Sequence, residues 1–271
     1  MDPALVAVTA EPDEPALHAA ADELAARLKA PRFDSAQAPR AAALLVVTPS
    51  GLELRDPSQP RMKGVRADFL SPAMRRRASG GAGRRPLLRA VGFRGQPLEV
   101  IDATAGLARD AFVLAAAGCR VTAVERNPVI AAMLDDALRR AAEDPATGSW
   151  LPQRLALVEA DARELIAALA DDRRPDVICI DTMFPPRSKS ALAGKEMRIC
   201  RLVAGSDADA GSLLEVAMRF ARRRVVVKRR LHDRGPWPRP QVRFEARSVR
   251  YDVYLPQSPC GQTRGSPDHS S

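Results

Sequence analysis

The sequence of 271 residues has few aromatic, histidine or cysteine side chains, and it lacks long apolar runs. Aromatic residues make up only 4% of the chain, so Ala, Leu and Val must build the core within a hydrophobic fraction of 46%. The three histidines form neither a metal cluster nor a Ser-His-Asp arrangement. No apolar stretch reaches the length of a membrane span, and early acidic residues disfavour a signal peptide. We therefore expect a cytoplasmic protein without a bound metal.

The four cysteines are scattered, with no CxxC pair, and three of them lie in or beside apolar runs. This spacing predicts buried, reduced thiols and no disulfide framework. The sequence also has no GxxxxGK[ST] loop, the usual cradle for a nucleoside triphosphate. What is abundant is positive charge, with 42 Lys and Arg against 33 Asp and Glu and a net charge of +9. The excess favours a polyanionic partner, although an Arg-rich composition can also reflect a high-GC genome.

The most informative stretch is 98–128, where an apolar strand, a small-residue turn, a helix and a second strand follow one another. The two strands end in Asp102 and Glu125, and the turn between them contains Gly106. Parallel strands bind ligands beyond their carboxyl ends, where a carboxylate such as Glu125 can accept both hydroxyls of a ribose. The pattern is typical of a nucleoside-cofactor site.

Details of the turn favour S-adenosylmethionine over a dinucleotide. A dinucleotide site needs GxGxxG, so that a helix N-terminus can hold a pyrophosphate, and here only Gly106 is present. Arg109 and Asp110 begin the helix instead. The carboxylates of Asp102 and Asp110 suit a sulfonium and an ammonium group better than a diphosphate. NAD or FAD, and an ordinary βαβ unit with acidic strand ends, are the alternatives.

Alternating strands and helices over residues 96–255 predict an α/β, Rossmann-like fold with a mainly parallel sheet and a C-terminal antiparallel hairpin. Residues 1–60 predict a small α+β appendage, formed by a strand, a helix and a hairpin. Residues 61–95 form a basic bridge, with ten Arg or Lys, one Asp and a glycine-rich middle that we expect to be flexible. Residues 256–271 are rich in Ser, Pro and Gly and predict a disordered tail.

Two further strand ends complete the expected pocket. The third strand leads into Asp161 and Ala162, which could bind an adenine, although Asp161 could equally cap the next helix. The fourth strand ends in Asp181, followed by Thr-Met-Phe-Pro-Pro. Asp181 could hold the N–H of an amine and orient its lone pair, while Phe184 could stack on an extruded base. A proline-rich turn that only ends a buried strand is the alternative.

Basic segments match a nucleic-acid substrate. Residues 219–250 contain twelve Lys or Arg against two acidic residues, and three of the twelve directly follow an apolar strand. Phosphate contact is the functional interpretation, and a solvated basic face is the alternative. The predicted RNA-binding residues are Arg75, Arg76, Arg77, Lys189, Lys228, Arg229 and Arg230.

Several segments together form a specific combination: Asp102-Ala-Thr-Ala-Gly-Leu-Ala-Arg-Asp-Ala-Phe112, Glu125-Arg-Asn-Pro128, Asp181-Thr-Met-Phe-Pro185, Lys189-Ser-Ala-Leu192, Lys195-Glu-Met-Arg198, Val225-Val-Val-Lys-Arg229 and Arg250-Tyr-Asp-Val-Tyr254. Together with Leu52-Glu-Leu54, Asp68-Phe69, Ala73-Met74, Arg76-Arg77 and Gly80-Gly81, this combination resembles the ribosomal RNA small subunit methyltransferase J family over roughly residues 40–255. The resemblance implies a class I S-adenosylmethionine-dependent methyltransferase that modifies the 2-amino group of one guanine in 16S rRNA. On the matching positions it implies cofactor contacts at Arg109, Asp110, Glu125, Arg126, Asp161, Ala162 and Asp181.

The chain departs from the family pattern at three places. Thr182 and Ala108 stand where the family has a proline and a glycine, and Asp161-Ala162 stand where serines are usual. Two other functions are compatible with the sequence. One is a non-catalytic RNA-binding protein with a methyltransferase fold, and the other is an amino-methyltransferase for DNA or protein. Carboxylates at four successive strand ends disfavour a loss of catalysis.

Overall fold

The computed structural model describes residues 6–33, 41–79, 85–181, 199, 203, 210–233, 235 and 237–256. Its first sheet has three strands, β1 (Val6–Ala10), β2 (Ala43–Thr48) and β3 (Gly51–Arg55). β1 and β2 are parallel, while β2 and β3 form the predicted hairpin. Helix α1 (Pro15–Leu28) buries Ala21, Leu24, Ala25 and Leu28 against this sheet, which gives the amino-terminal segment a core.

The segment predicted as a basic bridge contains two short helices, α2 (Pro72–Ser79) and α3 (Pro86–Val91). Proline suits the first turn of each helix because its missing N–H has no intrahelical partner there. Gly92 ends α3 in the left-handed conformation, with φ of 77°. The glycines expected to make this segment flexible, Gly80, Gly81 and Gly83, lie outside the described residues.

Seven strands form the second sheet: β4 (Glu99–Asp102), β5 (Arg120–Glu125), β6 (Leu155–Glu159), β7 (Val177–Asp181), β8 (Arg224–Arg230), β9 (Val242–Glu245) and β10 (Val249–Tyr254). Their order across the sheet is β6-β5-β4-β7-β8-β10-β9. The first five strands in this order are parallel, and β10 runs antiparallel to both β8 and β9. The predicted α/β class, with a late antiparallel hairpin, is confirmed.

In the described part of the chain, α3 packs on this sheet together with five further helices: α4 (Arg109–Ala117), α5 (Pro128–Glu143), α6 (Leu151–Arg154), α7 (Ala162–Ala167) and α8 (Ala210–Phe220). Successive residues of a strand lie on opposite faces of the sheet. Val100 packs on one face with α4, and Ile101 packs on the other face with α7 and α8. Both faces of the parallel sheet are therefore covered, as such sheets require. Within the described ranges, no helix is long and apolar enough to cross a membrane.

Helix α5 joins the two sheets. Val129 and Met133 pack in the core of the amino-terminal sheet. The Leu52 N–H donates to Asp136 Oδ2 over 3.1 Å, so β3 is also bonded to this helix. Gly51 has φ of 113°, and a Cβ there would stand 2.5 Å from the Asp136 carboxylate. Glycine is favoured at this turn, because a larger residue would be strained at this φ and would have to displace the Asp136 and Arg140 side chains. The boundaries at residues 60 and 95 stay a prediction.

The late hairpin contains a buried charge network centred on Asp252, which is fully buried. Its carboxylate accepts bonds from Arg229 at 3.2 Å, Arg243 at 3.0 Å and Arg250 at 3.1 Å. Arg229 also contacts Asp233, and Arg250 donates to three backbone carbonyls. Each buried charge of this network thus has opposite charge or carbonyl oxygens around it, as burial demands.

Two of the four cysteines lie in described parts of the chain. Cys119 and Cys179 are free and buried, as the apolar runs predicted. Burial raises the pKa of Cys119 to about 11, so this thiol stays protonated and unreactive. Cys200 and Cys260 lie outside the described residues, as does the predicted disordered tail from residue 257 onward.

Candidate active site

The carboxyl ends of the central strands bring the predicted acidic residues to one edge of the sheet. β4 lies between β5 and β7, so Asp102 has Glu125 on one side and Asp181 on the other. The turn after β4 is bonded to the end of β7, because the Asp181 N–H donates to Thr104 Oγ1 over 2.6 Å. The Ala103 N–H likewise donates to the Cys179 carbonyl over 2.9 Å. These bonds fix the distance between the two strand ends.

Glu125 holds the small-residue turn in place. Its Oε2 accepts the Gly106 N–H at 2.9 Å, and its Oε1 accepts the Asn127 N–H at 2.8 Å. Gly106 is left-handed, with φ of 52°, and no described atom lies within 4 Å of where a Cβ would stand. The carboxylate predicted to bind a ribose therefore lies at the strand tip, directly bonded to a turn with open space above it.

The turn carries backbone strain at Ala108, which has φ of 50°. A left-handed conformation costs a residue with a Cβ about 1–2 kcal/mol. The family resemblance expects glycine here, and the conformation explains why. Ala108 directly precedes α4, whose first residues are the exposed Arg109 and the partly buried Asp110.

A cluster of ion pairs lies beside this turn. Lys228 Nζ is 2.7 Å from Asp181 Oδ2 and 3.0 Å from Asp110 Oδ2, and Arg77 bonds the other oxygen of Asp110. Burial would raise the pKa of Asp110, but Lys228 and Arg77 outweigh burial and lower it. Burial would lower the pKa of Lys228, but the carboxylates of Asp110 and Asp181 raise it instead. Both Lys228 and Asp110 are therefore charged at neutral pH.

Asp102 differs from Asp110 and Asp181 because no Lys or Arg in the described ranges forms an ion pair with it. Its side chain is 5% exposed and its Oδ1 accepts a long bond from the Thr104 N–H at 3.4 Å. Burial, together with the charges of Asp110 and Asp181, raises the pKa of Asp102 to about 7. A ligand cation at this position would favour the ionised carboxylate.

Asp161, just after the third strand, caps the next helix, which is one of its two predicted roles. Its Oδ1 accepts the Arg163 N–H at 2.8 Å, so Asp161 caps α7, and the Arg163 guanidinium lies 2.7 Å from Oδ2. The side-chain bond from Arg163 holds the pKa of Asp161 below its usual value. Ala162 is buried behind it, while Arg126 is exposed after β5. The adenine contact predicted for Asp161 and Ala162 stays a prediction.

S-adenosylmethionine fits this set of residues. The open space above Gly106 admits a ligand close to the backbone, and Glu125 offers carboxylate oxygens at the next strand tip. Asp102 is a buried carboxyl group that gains from a cation. A metal site has no such support, because no group of three His, Cys, Asp or Glu in the described ranges is arranged to hold an ion.

The residues predicted to bind RNA have different surroundings. Lys228 lies in the ion-pair cluster rather than on an open face, and Arg229 is buried in the Asp252 network. Their positions do not support phosphate contact, because both cations are already engaged with carboxylates. Arg230 is partly exposed and Arg76 is exposed.

Arg75 and Arg77, the other two arginines predicted on α2, are half-exposed, and each contacts an acidic residue. Arg75 lies 3.0 Å from Asp144, and Arg77 contacts Asp110. Phe184, Thr182 and Lys189 lie outside the described residues.

Sequence patterns missed three residues of the site. Thr104 orients the backbone of Asp181, and its place in the small-residue turn was the available signal. Asn127 caps α5 by accepting the Val129 and Ile130 N–H groups, a role that an Asn before Pro predicts. Tyr251 is buried opposite Lys228 in the pairing of β10 with β8. No local sequence pattern predicts the register of this antiparallel pair, so the pairing of Tyr251 with Lys228 could not be predicted.

Comparisons with known proteins agree with this geometry. The model of a family described as SAM-dependent methyltransferases matches residues 28–256. A curated protein named ribosomal RNA small subunit methyltransferase J from Aeromonas salmonicida is 46% identical, over 78% of this chain and 85% of that protein. A protein of the same name from Serratia proteamaculans is 45% identical, over 87% of this chain and 96% of the other.

A solved structure gives the same result for the fold. The crystal structure of a SAM-dependent methyltransferase from Neisseria gonorrhoeae is 31% identical to this chain. The alignment covers 93% of this chain and 96% of that one, with a TM-score of 0.68. The two proteins therefore share the fold over nearly their whole length.

Proposed function

Since this chain belongs to the ribosomal RNA small subunit methyltransferase J family of SAM-dependent methyltransferases, we propose that it methylates the 2-amino group of one guanine in 16S rRNA. Its cofactor is S-adenosylmethionine. The observation that carries the proposal is the position of Asp181, at the strand end beside the cofactor turn and bonded to Lys228. A substrate in the small ribosomal subunit also supports the cytoplasmic location predicted from the sequence.

Asp181 is the residue we assign to the acceptor amine. The lone pair of an exocyclic amino group is delocalised into the base, which makes this nitrogen a poor nucleophile. A carboxylate that accepts one N–H can hold the amine so that its lone pair faces the methyl group, and positioning of this kind supplies much of the rate. The Thr104 hydroxyl and Lys228 fix the backbone and the side chain of Asp181 for this task.

The other strand ends hold the cofactor, which when bound supplies an electrophilic methyl group on its sulfonium. Glu125 accepts the ribose hydroxyls, and Asp102 lies where it can face a cationic part of the ligand. Asp161 and Ala162 take the adenine, with Gly106, Arg109, Asp110 and Arg126 around the turn. The extruded guanine stacks on Phe184, as the sequence predicts.

The test is single-turnover transfer of a labelled methyl group to the small subunit and to free 16S rRNA, with mass mapping of the product. We expect Asp181→Ala to lose methyl transfer even when S-adenosylmethionine is saturating, because Asp181 is assigned to the acceptor amine as well as to the cofactor. Phe184→Ala should keep cofactor binding and lose about ten- to a hundredfold in rate, since stacking contributes about 1–3 kcal/mol. The matched control is Asp172→Ala, an exposed acid that precedes β7 at the opposite edge of the sheet.

Three outcomes would contradict the proposed function. Full activity of Asp181→Ala would place the reaction at another strand end. A methyl group mapped to any atom other than the guanine 2-amino nitrogen would overturn the proposed substrate while leaving the enzyme class intact. Binding of RNA without any transfer by the unaltered chain would favour a non-catalytic RNA-binding protein.

A further inference from the structure

A second concave region lies next to the cofactor turn, and we call it the basic cleft. It is a cavity of about 920 Å³ between β3, the segment that precedes α2, and the turn residues Leu107 and Arg109. Among the described residues, two acidic ones line it, Glu53 and Asp68. Six basic side chains line it: Arg55, Arg61, Lys63, Arg66, Arg77 and Arg109.

The positive charge of the cleft is only partly neutralised. Arg55 lies 3.0 Å from Glu53, and Arg66 is 3.9 Å from the same carboxylate and donates to the Ser50 carbonyl. Arg61 and Lys63 are exposed, and neither makes an ion pair with any residue in the described ranges. Glu53, together with Glu11 beside Arg55, thus holds two arginines in fixed positions. Two further cations face solvent and can meet an anionic ligand.

The cleft is continuous with the proposed reaction site. Arg77 lines the cleft and contacts Asp110, which Lys228 joins to Asp181. Leu107 and Arg109 belong both to the cleft wall and to the turn above which the cofactor fits. A polyanion in the cleft would therefore lie beside the strand end to which we assign the acceptor amine.

We propose that the basic cleft binds the sugar-phosphate backbone of a single-stranded RNA segment next to the target guanine. The proposal rests on the proposed function. The cations come from three separate segments, β3, the stretch from Arg61 to Arg77 and the turn at Arg109, which suits successive phosphates of a strand. A single strand is required because a paired base cannot present its amino group to a carboxylate at the sheet edge without leaving the helix.

The test compares Arg61→Glu/Lys63→Glu with Arg94→Glu/Arg173→Glu, which has the same change in charge. Arg94 and Arg173 are exposed and precede β4 and β7, at the edge of the sheet away from the cofactor turn. The probe is a fluorescent single-stranded 16S rRNA fragment that contains the target guanine, titrated at several salt concentrations. Calorimetry with S-adenosylmethionine checks that each variant is folded and binds cofactor.

Loss of two single-strand phosphate contacts should make the log–log salt slope less steep by about 1.4. Counterion release alone then weakens RNA binding roughly 25-fold at about 0.1 M salt. The KM for RNA should rise in the same variant while cofactor affinity is unchanged. The Arg94→Glu/Arg173→Glu control should keep most of the RNA affinity and the original salt slope.

Equal affinity losses in the two variants would overturn the proposal, because only net charge would then matter. An unchanged salt slope in Arg61→Glu/Lys63→Glu would do the same. Competition by polyglutamate as strong as competition by RNA would assign the cleft to an acidic protein instead. If the unaltered chain transfers no methyl group while the cleft variant alone weakens RNA binding, the proposed function fails and the RNA site stands.

Discussion

Lys228 and Asp181 are paired residues on neighbouring parallel strands, and their side chains meet at a distance of 2.7 Å. The same ammonium group reaches Asp110 on α4 at 3.0 Å. One cation thus links the strand end assigned to the acceptor amine with the helix that follows the cofactor turn. Replacing this charge should change how the neighbouring acids ionise.

We predict that Lys228→Met shifts the pH profile of methyl transfer to higher pH. Without the ammonium group, the carboxylates of Asp110 and Asp181 repel each other and Asp102, so ionising them needs a higher pH. The measurement is the single-turnover rate constant of methyl transfer as a function of pH. Lys228→Arg should restore the original profile in part, because it keeps the charge. An unchanged profile in Lys228→Met would show that the cation does not control these acids.

Glu125→Gln should weaken S-adenosylmethionine binding by about 1–3 kcal/mol, the typical effect of losing hydrogen bonds to a charged group. The amide loses one acceptor oxygen, so it cannot accept both the Gly106 and the Asn127 N–H, and the turn loosens. Calorimetry measures the affinity. Glu99→Gln is the control, since Glu99 is exposed at the opposite end of the neighbouring strand. Equal affinities in the two variants would remove Glu125 from the cofactor site.

Asp102 should make the folded chain less stable as pH rises from about 4 to about 7. Its folded pKa of about 7 exceeds the unfolded value of 3.8, so the folded state binds more protons in that window. The loss amounts to about 4 kcal/mol at most. The free energy of unfolding, measured with urea at several pH values, should fall less over this pH range in Asp102→Asn than in the unaltered protein. If the free energy of unfolding depends on pH in the same way in both proteins, the pKa of Asp102 is not raised.

Cofactor affinity should rise with pH through the same carboxyl group. A cationic ligand favours ionised Asp102, so binding below pH of about 7 should release a proton. Calorimetry in buffers of different ionisation enthalpy counts that proton. Asp102→Asn should release none, and equal proton release in both proteins would assign the effect to another group.

Replacing Arg76 and Arg77 of α2 should have different effects on RNA binding and on cofactor binding. Arg76→Glu should weaken RNA binding and leave cofactor binding unchanged, because its side chain is exposed. Arg77→Glu should weaken both, since it places a second negative charge against Asp110 beside the cofactor turn. Anisotropy with RNA and calorimetry with S-adenosylmethionine measure the two effects. Identical behaviour of the two variants would mean that the Arg77–Asp110 contact has no role in the site.

Local patterns predicted the acids of the site because each one directly follows an apolar strand. Asp102, Glu125 and Asp181 needed only the rule that parallel strands end at a shared edge. The surroundings of Lys228 and Arg229 could not be predicted in this way. In the sequence they form one basic run, but their side chains alternate between faces of β8, so one meets Asp181 and the other Asp252. The basic cleft depends on packing of the amino-terminal sheet against α5, which has no local signal.

The Asp252 network has a consequence for how this protein can evolve. Removing the Asp252 carboxylate alone would leave Arg250 as a buried cation with carbonyl oxygens around it, and Arg229 with Asp233. Breaking a buried pair in this way costs about 3–5 kcal/mol. Replacing the whole set by apolar side chains of similar volume avoids that cost. We therefore expect substitutions at these positions to depend on one another, with single changes destabilising the fold and concerted changes tolerated. Along a lineage these residues should change together or not at all.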